Sequence, residues 1–276
     1  MITITKASGE KVPYDPSKIR RSLMRVGTDE KMIEEILGEV ARLLTDGMKT
    51  HEIYQIAFRL LRKKSRTVAA KYHLKRAIMQ LGISGYPFEK FVAELLRHQG
   101  FQAQTNQIVH GYCIDHEVDV VARQGSRQIY IECKYHNRPG INCDVKIPLY
   151  FKGRFLDIEQ ANKKDQAVKL EGWLITNTRF TNDALKYGRC AGLHLISWDY
   201  PANESLKERI EISGLYPITC ITNLTKTEIS QLMNNNVVLC KTIHDNPSLL
   251  DPLKIPKPRR DSIIRLCHSL YGHFQS

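Results

Sequence analysis

The chain has 276 residues, with 41 Lys and Arg against 29 Asp and Glu, a net charge of +12 and seven cysteines. That length holds one large domain or two to three smaller ones. No run of about 18 apolar residues occurs, and the opening Met1-Ile2-Thr3-Ile4-Thr5-Lys6 lacks the charged-then-apolar order of a signal peptide, so a cytoplasmic protein with no membrane partner is expected. An odd number of cysteines scattered through apolar segments fits reduced thiols better than a disulfide framework.

The positive charge is uneven. Residues 1–82 carry 17 basic and 9 acidic side chains, residues 83–215 carry 17 and 16, and residues 216–276 carry 7 and 4. A basic balance favours anionic partners, nucleic acid above all. It is the flanks, not the middle, that supply it. Composition breaks suggest three segments, 1–82, 83–213 and 214–276.

The first segment opens with a short strand, a turn at Gly9 and a second strand through Val12-Pro13-Tyr14. Asp15 reads as a helix cap with Pro16 at the first helical position. Further helices are expected over 29–44, over 51–61 with Thr50 as cap, and over 67–81. The stretches Ile4-Thr5-Lys6-Ala7-Ser8-Gly9, Val12 to Leu23 and Asp46-Gly47-Met48-Lys49-Thr50-His51-Glu52-Ile53 resemble the ATP-cone, a nucleotide-binding regulatory module of ribonucleotide reductases and their repressor. The resemblance implies a mostly helical domain that takes ATP or dATP. Lys6 and Lys18 would hold phosphates beside the Gly9 turn, Thr50 would sit near the nucleotide, and Lys75, or Lys71, would complete the pocket. The family usually has an arginine after its first lysine; Ala7 stands there, which removes one charge-assisted phosphate contact.

The middle segment begins after a linker-like Ile83-Ser84-Gly85-Tyr86-Pro87 and reads as helix 88–98, strands 103–109, 117–122 and 128–135, helix 144–161, strand 172–177, helix 182–190, strand 193–197 and helix 204–212. That order argues for an α/β sandwich with a mixed sheet. Two strands carry the chemistry. Val118-Asp119-Val120-Val121 holds an aspartate in an apolar run, and Gln128 to Lys134 ends in Glu132-Cys133-Lys134. Residues i and i+2 of a strand share a face, so Glu132 and Lys134 project together while Cys133 points away. Two carboxylates on neighbouring strands offer hard oxygen ligands to Mg²⁺, and a lysine beside them can orient an attacking water and neutralise charge on phosphate.

Asp119, then Glu132-Cys133-Lys134, preceded by a helix carrying Glu89 in Tyr86-Pro87-Phe88-Glu89-Lys90-Phe91-Val92, resembles the PD-(D/E)XK nuclease superfamily, in its Mrr-like restriction endonuclease branch. Trp173 to Ala184 and Leu193-His194-Leu195-Ile196 resemble that branch's later elements, so the likeness runs over residues 83 to 213. It implies a restriction-endonuclease-like fold and Mg²⁺-dependent cleavage of DNA, with Mn²⁺ able to substitute. Asp119, Glu132 and the Cys133 carbonyl are the expected metal ligands, Lys134 the residue that positions water, and Glu89 a holder of metal-bound water. Glu117 shares the strand face of Asp119 and could substitute as a ligand; His136 is a candidate phosphate contact or else a surface histidine at the strand end. Tyr150 and Arg154, four apart on the next helix, could face DNA, with an ordinary ion pair the plainer role for Arg154. Cys113-x-x-His116 and Cys133-x-x-His136 mimic zinc-ligand spacing, but residues three apart on a strand face opposite sides, which argues for buried thiols.

The last segment is short and basic. A helix is expected over 226–234, then an apolar Val237 to Cys240, a linker from Pro252 to Pro258, and a final helix capped by Asp261 and running to Tyr271. It weakly resembles a helix-hairpin-helix DNA-binding unit without that motif's glycine-centred hairpin, and a plain C-terminal packing subdomain is the alternative. The sequence therefore points to a nucleotide-regulated DNA endonuclease acting as a homodimer or nucleotide-dependent oligomer. The rival is a non-catalytic nucleotide sensor whose nuclease-like domain only binds nucleic acid.

Overall fold

The computed structural model describes residues 2–6, 8–82, 84–163 and 167–271, so Ala7 and Ile83 lie outside the described residues. Strands β1 (Thr3–Thr5) and β2 (Lys11–Pro13) form an antiparallel hairpin whose turn holds Gly9 at φ +86°. The Asp15 side chain accepts from the Ser17 amide at 3.0 Å and starts α1 (Pro16–Arg25), and Asp29 does the same for α2 (Glu30–Leu43) through the Met32 amide at 2.9 Å. Next come β3 (Met48–Lys49), which pairs in parallel with β1, then α3 (Thr50–Lys64) and α4 (Arg66–Ile78). A two-residue strand shows no alternation, so β3 left no trace in the sequence pattern. Thr50 is the first helical residue rather than the cap, and the Lys49 amide is satisfied by the Glu52 side chain at 2.8 Å.

Leu23, Ile33, Ile36, Val40, Ile53, Ala57 and Leu61 close the core of this N-terminal unit. Helix α4 faces two ways. Its Ala69 belongs to that core, while Ala70, Leu74, Ala77 and Ile78 belong to the large core of the rest of the molecule.

The middle of the chain runs α5 (Tyr86–His98), β4 (Gln102–His110), β5 (Asp115–Gln124), β6 (Arg127–Lys134), β7 (Asn142–Cys143), α6 (Lys146–Ala161), β8 (Lys169–Thr176), β9 (Arg179–Phe180), α7 (Asn182–Cys190), β10 (His194–Ile196) and α8 (Leu206–Ser213). Helix α5 starts at Tyr86, inside the stretch read as linker, because a proline is tolerated in a first turn. The five-stranded sheet has the order β10-β8-β6-β5-β4, parallel from β10 to β6 and antiparallel from β6 to β4. It is the mixed-sheet α/β sandwich expected. Val120, Ile129, Ile131, Cys133 and Ile175 pack with Phe88, Phe91 and Val92 of α5, whereas Val118, Tyr130 and Leu174 pack with Phe151, Phe155 and Ile158 of α6.

The C-terminal region is helical, with α9 (Lys226–Asn234), α10 (Cys240–Asp245) and α11 (Lys257–Tyr271). Here the reading is corrected: α11 begins at Lys257, so Asp261 lies inside it and Pro258 occupies its first turn. Pro252 belongs to a 3₁₀ turn, Pro247–Leu253, and not to an open linker. The region shares the large core with α4 and α5, and the Thr219 hydroxyl donates to the Ala77 carbonyl at 2.7 Å.

Candidate active site

The ladder between β5 and β6 ends at the pair Val120 and Ile131, one step short of Asp119 and Glu132. On the other side of β5, the pairing skips Asn106 and Asp119, and Asn106 takes φ +55°, a left-handed conformation that asparagine tolerates. Val118 and Val120 lie in different cores, so β5 turns over at Asp119. The released Asp119 carboxylate accepts the Cys133 amide of β6 through Oδ2 at 2.7 Å. One oxygen is thereby fixed, and the other remains for a ligand.

Glu132 and Lys134 lie on one face of β6 and Cys133 on the other, buried against the α5 side. Arg154 of α6 donates from Nη1 to Glu132 Oε2 at 2.6 Å, with about a fifth of each side chain exposed (17% and 21%). Its guanidinium lies 5.8 Å from the Tyr150 ring. Lys134 pairs in register with Thr176 of β8, and among the described residues its amine makes no ion pair or hydrogen bond.

Glu89, in the first turn of α5, reaches the same end of the sheet. Burial raises its carboxyl to about 7, and the charges of Asp119, Glu117 and Glu132 add to the rise. Asp119 is raised to about 6, first by burial and then by Glu132, although the Cys133 amide and Arg154 pull the other way. The structure thus brings Glu89, Asp119 and Glu132 together, with Glu117 beside them. Such repulsion in a half-buried place is costly unless a cation relieves it.

Oxygen donors in that condition fit a magnesium-sized ion, which is bound through one or two carboxylates and keeps several waters. Among the described residues no three His, Cys, Asp or Glu side chains form a ready cation cage. The zinc spacing leads nowhere: His116 Nε2 bonds Asp157 Oδ2 at 2.8 Å, the Cys113 amide donates to Asp157 Oδ1 at 2.9 Å, Cys113 is exposed, and Cys133 is buried in the other layer. All seven cysteines are free, and Cys113 and Cys190 are exposed rather than buried.

Around the site, His136 and Asn177 lock each other. The His136 amide donates to Asn177 Oδ1 at 2.9 Å, and Asn177 Nδ2 donates to the His136 carbonyl at 2.7 Å. The His136 ring is held below its usual range by burial and by Lys134, and lies 3.4 Å from Cys143 Sγ. Asp144 caps locally, accepting from the Lys146 amide at 3.0 Å. The Arg154 to Glu132 contact spans two elements 22 positions apart, and no local sequence pattern announces it.

The residues expected to hold a nucleotide fall in two places. Thr50, Lys71 and Lys75 line a cleft between the N-terminal helices and the sheet domain; Lys6, Gly9 and Lys18 do not line it. Lys6 pairs with Glu10 at 2.9 Å, and Lys18 stands exposed on α1.

Comparisons with known proteins agree with this layout. The ATP cone domain model matches residues 2–80, a restriction endonuclease model residues 81–148, and an AF1548-like C-terminal model residues 216–271. An uncharacterised protein of Archaeoglobus fulgidus is 38% identical over 152 residues, which are 55% of this chain and 83% of that relative. The crystal structure of AF1548, a protein of unknown function, is 32% identical with a TM-score of 0.57, covering 69% of this chain and 100% of that one. Can2 from Sulfobacillus thermosulfidooxidans, solved in complex with cyclic tetra-adenylate, is 15% identical with a TM-score of 0.33, over 71% of this chain and 52% of that one. The first two of these relatives, matched at more than 30% identity over most of their own length, and the C-terminal model place the chain in the AF1548-like family, with an ATP cone at its N-terminal end.

Proposed function

We propose that the chain is a metal-dependent endonuclease that hydrolyses phosphodiester bonds in DNA under control of a nucleotide bound at the ATP cone. The observation that carries this reading is the cluster of carboxylates from α5, β5 and β6, in which Glu89 and Asp119 are raised by burial and by the neighbouring charges, on a strand end where Lys134 has no ion-pair partner among the described residues. Asp119, Glu132 and the Cys133 carbonyl would hold Mg²⁺ or Mn²⁺, with Glu89 on a bound water. A divalent ion supplies positive charge that offsets the charge developing on phosphate.

The remaining work falls to the chain. The Cys133 amide keeps Asp119 oriented, and the Lys134 amine orients the attacking water and offsets phosphate charge as the 3′ oxygen leaves. Arg154 compensates Glu132 in the absence of other cations. Cutting both strands takes two such sites, which fits a homodimer or a nucleotide-dependent oligomer.

Arg154 also favours a second reading, since it neutralises Glu132 without any metal: a domain that binds nucleic acid and senses nucleotide without cleaving. One assay separates the two. Supercoiled plasmid incubated with Mg²⁺, with and without ATP or dATP, is cut by the wild type and not by Asp119→Ala, while both retain DNA. Equal products from both proteins would remove Asp119 from the reaction, and intact plasmid from both would favour the non-catalytic reading.

A further inference from the structure

The cleft that contains Thr50 and Lys75 has a volume of about 580 Å³. Arg25, Lys71, Lys75 and Arg76 line it from the ATP cone, and Lys207 of α8 faces them across it, so five cationic side chains meet one carboxylate, Glu211. Lys207 lies 3.6 Å from Glu211. Among the described residues, the other four have no carboxylate within ion-pair distance. Lys75 lies 5.7 Å from the centre of the Trp198 ring and Arg76 lies 4.3 Å from that of Tyr54, contacts that do not neutralise them. Like charges gathered this way repel, and a polyanion turns the repulsion into charge-assisted hydrogen bonds.

The cleft has the size of a small-molecule site and is far roomier than a phosphate ion needs. Tyr72 and Trp198 supply aromatic surface beside the cations. Cations for phosphates and rings for a base together describe a nucleoside polyphosphate.

The far wall leads to the candidate active site. Asn137, on that wall, is three residues beyond Lys134. Between them the Tyr135 hydroxyl bonds the carbonyls of Met79 at 2.7 Å and Gly82 at 3.2 Å, just past α4, and His136 is locked to Asn177. Met79 itself lines the cleft.

We infer that this junction cleft binds a nucleoside polyphosphate through side chains of the ATP cone and the sheet domain together, and that the segment Tyr135 to Asn137 transmits occupancy to Lys134. The inference rests on the nucleotide reading of the cone and adds the second wall and the route. Calorimetric titration of the full chain with ATP tests it, using wild type, Lys75→Met, Lys207→Met and Lys18→Ala, together with hydrogen exchange of the 134–140 amides. Lys75→Met and Lys207→Met are each expected to weaken ATP binding at least tenfold, and ATP to slow exchange in that segment. Binding lost in Lys18→Ala but unchanged in Lys75→Met and Lys207→Met would place the nucleotide at the hairpin, overturning the composite cleft and leaving the nucleotide reading intact. A folded wild type that binds neither ATP nor dATP at millimolar concentration overturns both. Binding with unaltered exchange overturns the transmission.

Discussion

At the end of the sheet, Glu89, Glu117, Asp119 and Glu132 press against one another around one arginine; at the domain junction, five cations face one glutamate. The two regions carry the same kind of imbalance with opposite sign. A folded chain tolerates uncompensated charge at a price that a ligand of the other sign removes, which is the ground for the two proposals: a cation at the strand ends and a polyanion in the cleft. They differ in construction. The acidic place is built from two adjacent strands and the first turn of α5, whereas the basic one is assembled from α1, α4 and α8 with the segment after β6.

The sharpest way to break the contrast is to remove the one lysine on the acidic side. Lys134→Ala is expected to lower plasmid cleavage by about 100-fold or more while DNA retention on a gel stays near wild type, because phosphate contacts are spread over many basic residues. Wild-type rates in that variant would separate Lys134 from the chemistry.

A smaller effect follows from Arg154, the internal counter-ion of the acidic cluster. Arg154→Ala leaves Glu132 half-buried without a partner, and the metal-free protein should lose about 1–3 kcal/mol of stability by urea denaturation. Saturating Mn²⁺ should return most of it. An equal loss with and without Mn²⁺ would show that Glu132 does not meet the ion.

Titration gives a third test, with a definite sign. Asp119 rises from 3.8 to about 6 on folding, so the folded state holds its proton more tightly than the unfolded one. The associated stability is fully present below about pH 4 and is lost as pH rises through 6. Asp119→Asn, which keeps an acceptor for the Cys133 amide, should therefore stabilise the metal-free protein at pH 8 by about 1–3 kcal/mol and change it little at pH 4. A pH-independent difference would mean that neither burial nor the neighbouring carboxylates raise Asp119.

How much of this was legible in the sequence follows from the same difference in construction. Strand periodicity put Glu132 and Lys134 on one face and Cys133 on the other, and Asp15 and Asp29 marked their helix starts. Asp119 was readable as a charge in an apolar run, but not its bond to the Cys133 amide, which depends on where the ladder stops. Arg154 on Glu132 was not readable, because the two meet only when α6 packs on the sheet. The start of α11 was misplaced because Pro256 and Pro258 look like linker residues, although proline fits a helix's first turn. The cleft's second wall, with Lys207 and Trp198, has no local pattern at all.

The smallest expected effect concerns the side chain that points away from the acidic cluster. Cys133→Ser should cut plasmid at the wild-type level, and neither protein should contain zinc by metal analysis. Stoichiometric zinc lost on substitution would reverse the assignment of faces on β6.

The contrast between the two regions is tested most directly by titrating Mn²⁺ into three full-length proteins at pH 7.5 without DNA or nucleotide and following binding by calorimetry. Wild type and Lys75→Met are expected to bind Mn²⁺ alike, and Asp119→Ala to lose that binding. Undiminished Mn²⁺ binding by Asp119→Ala would contradict the claim that the crowded carboxylates are the metal's place.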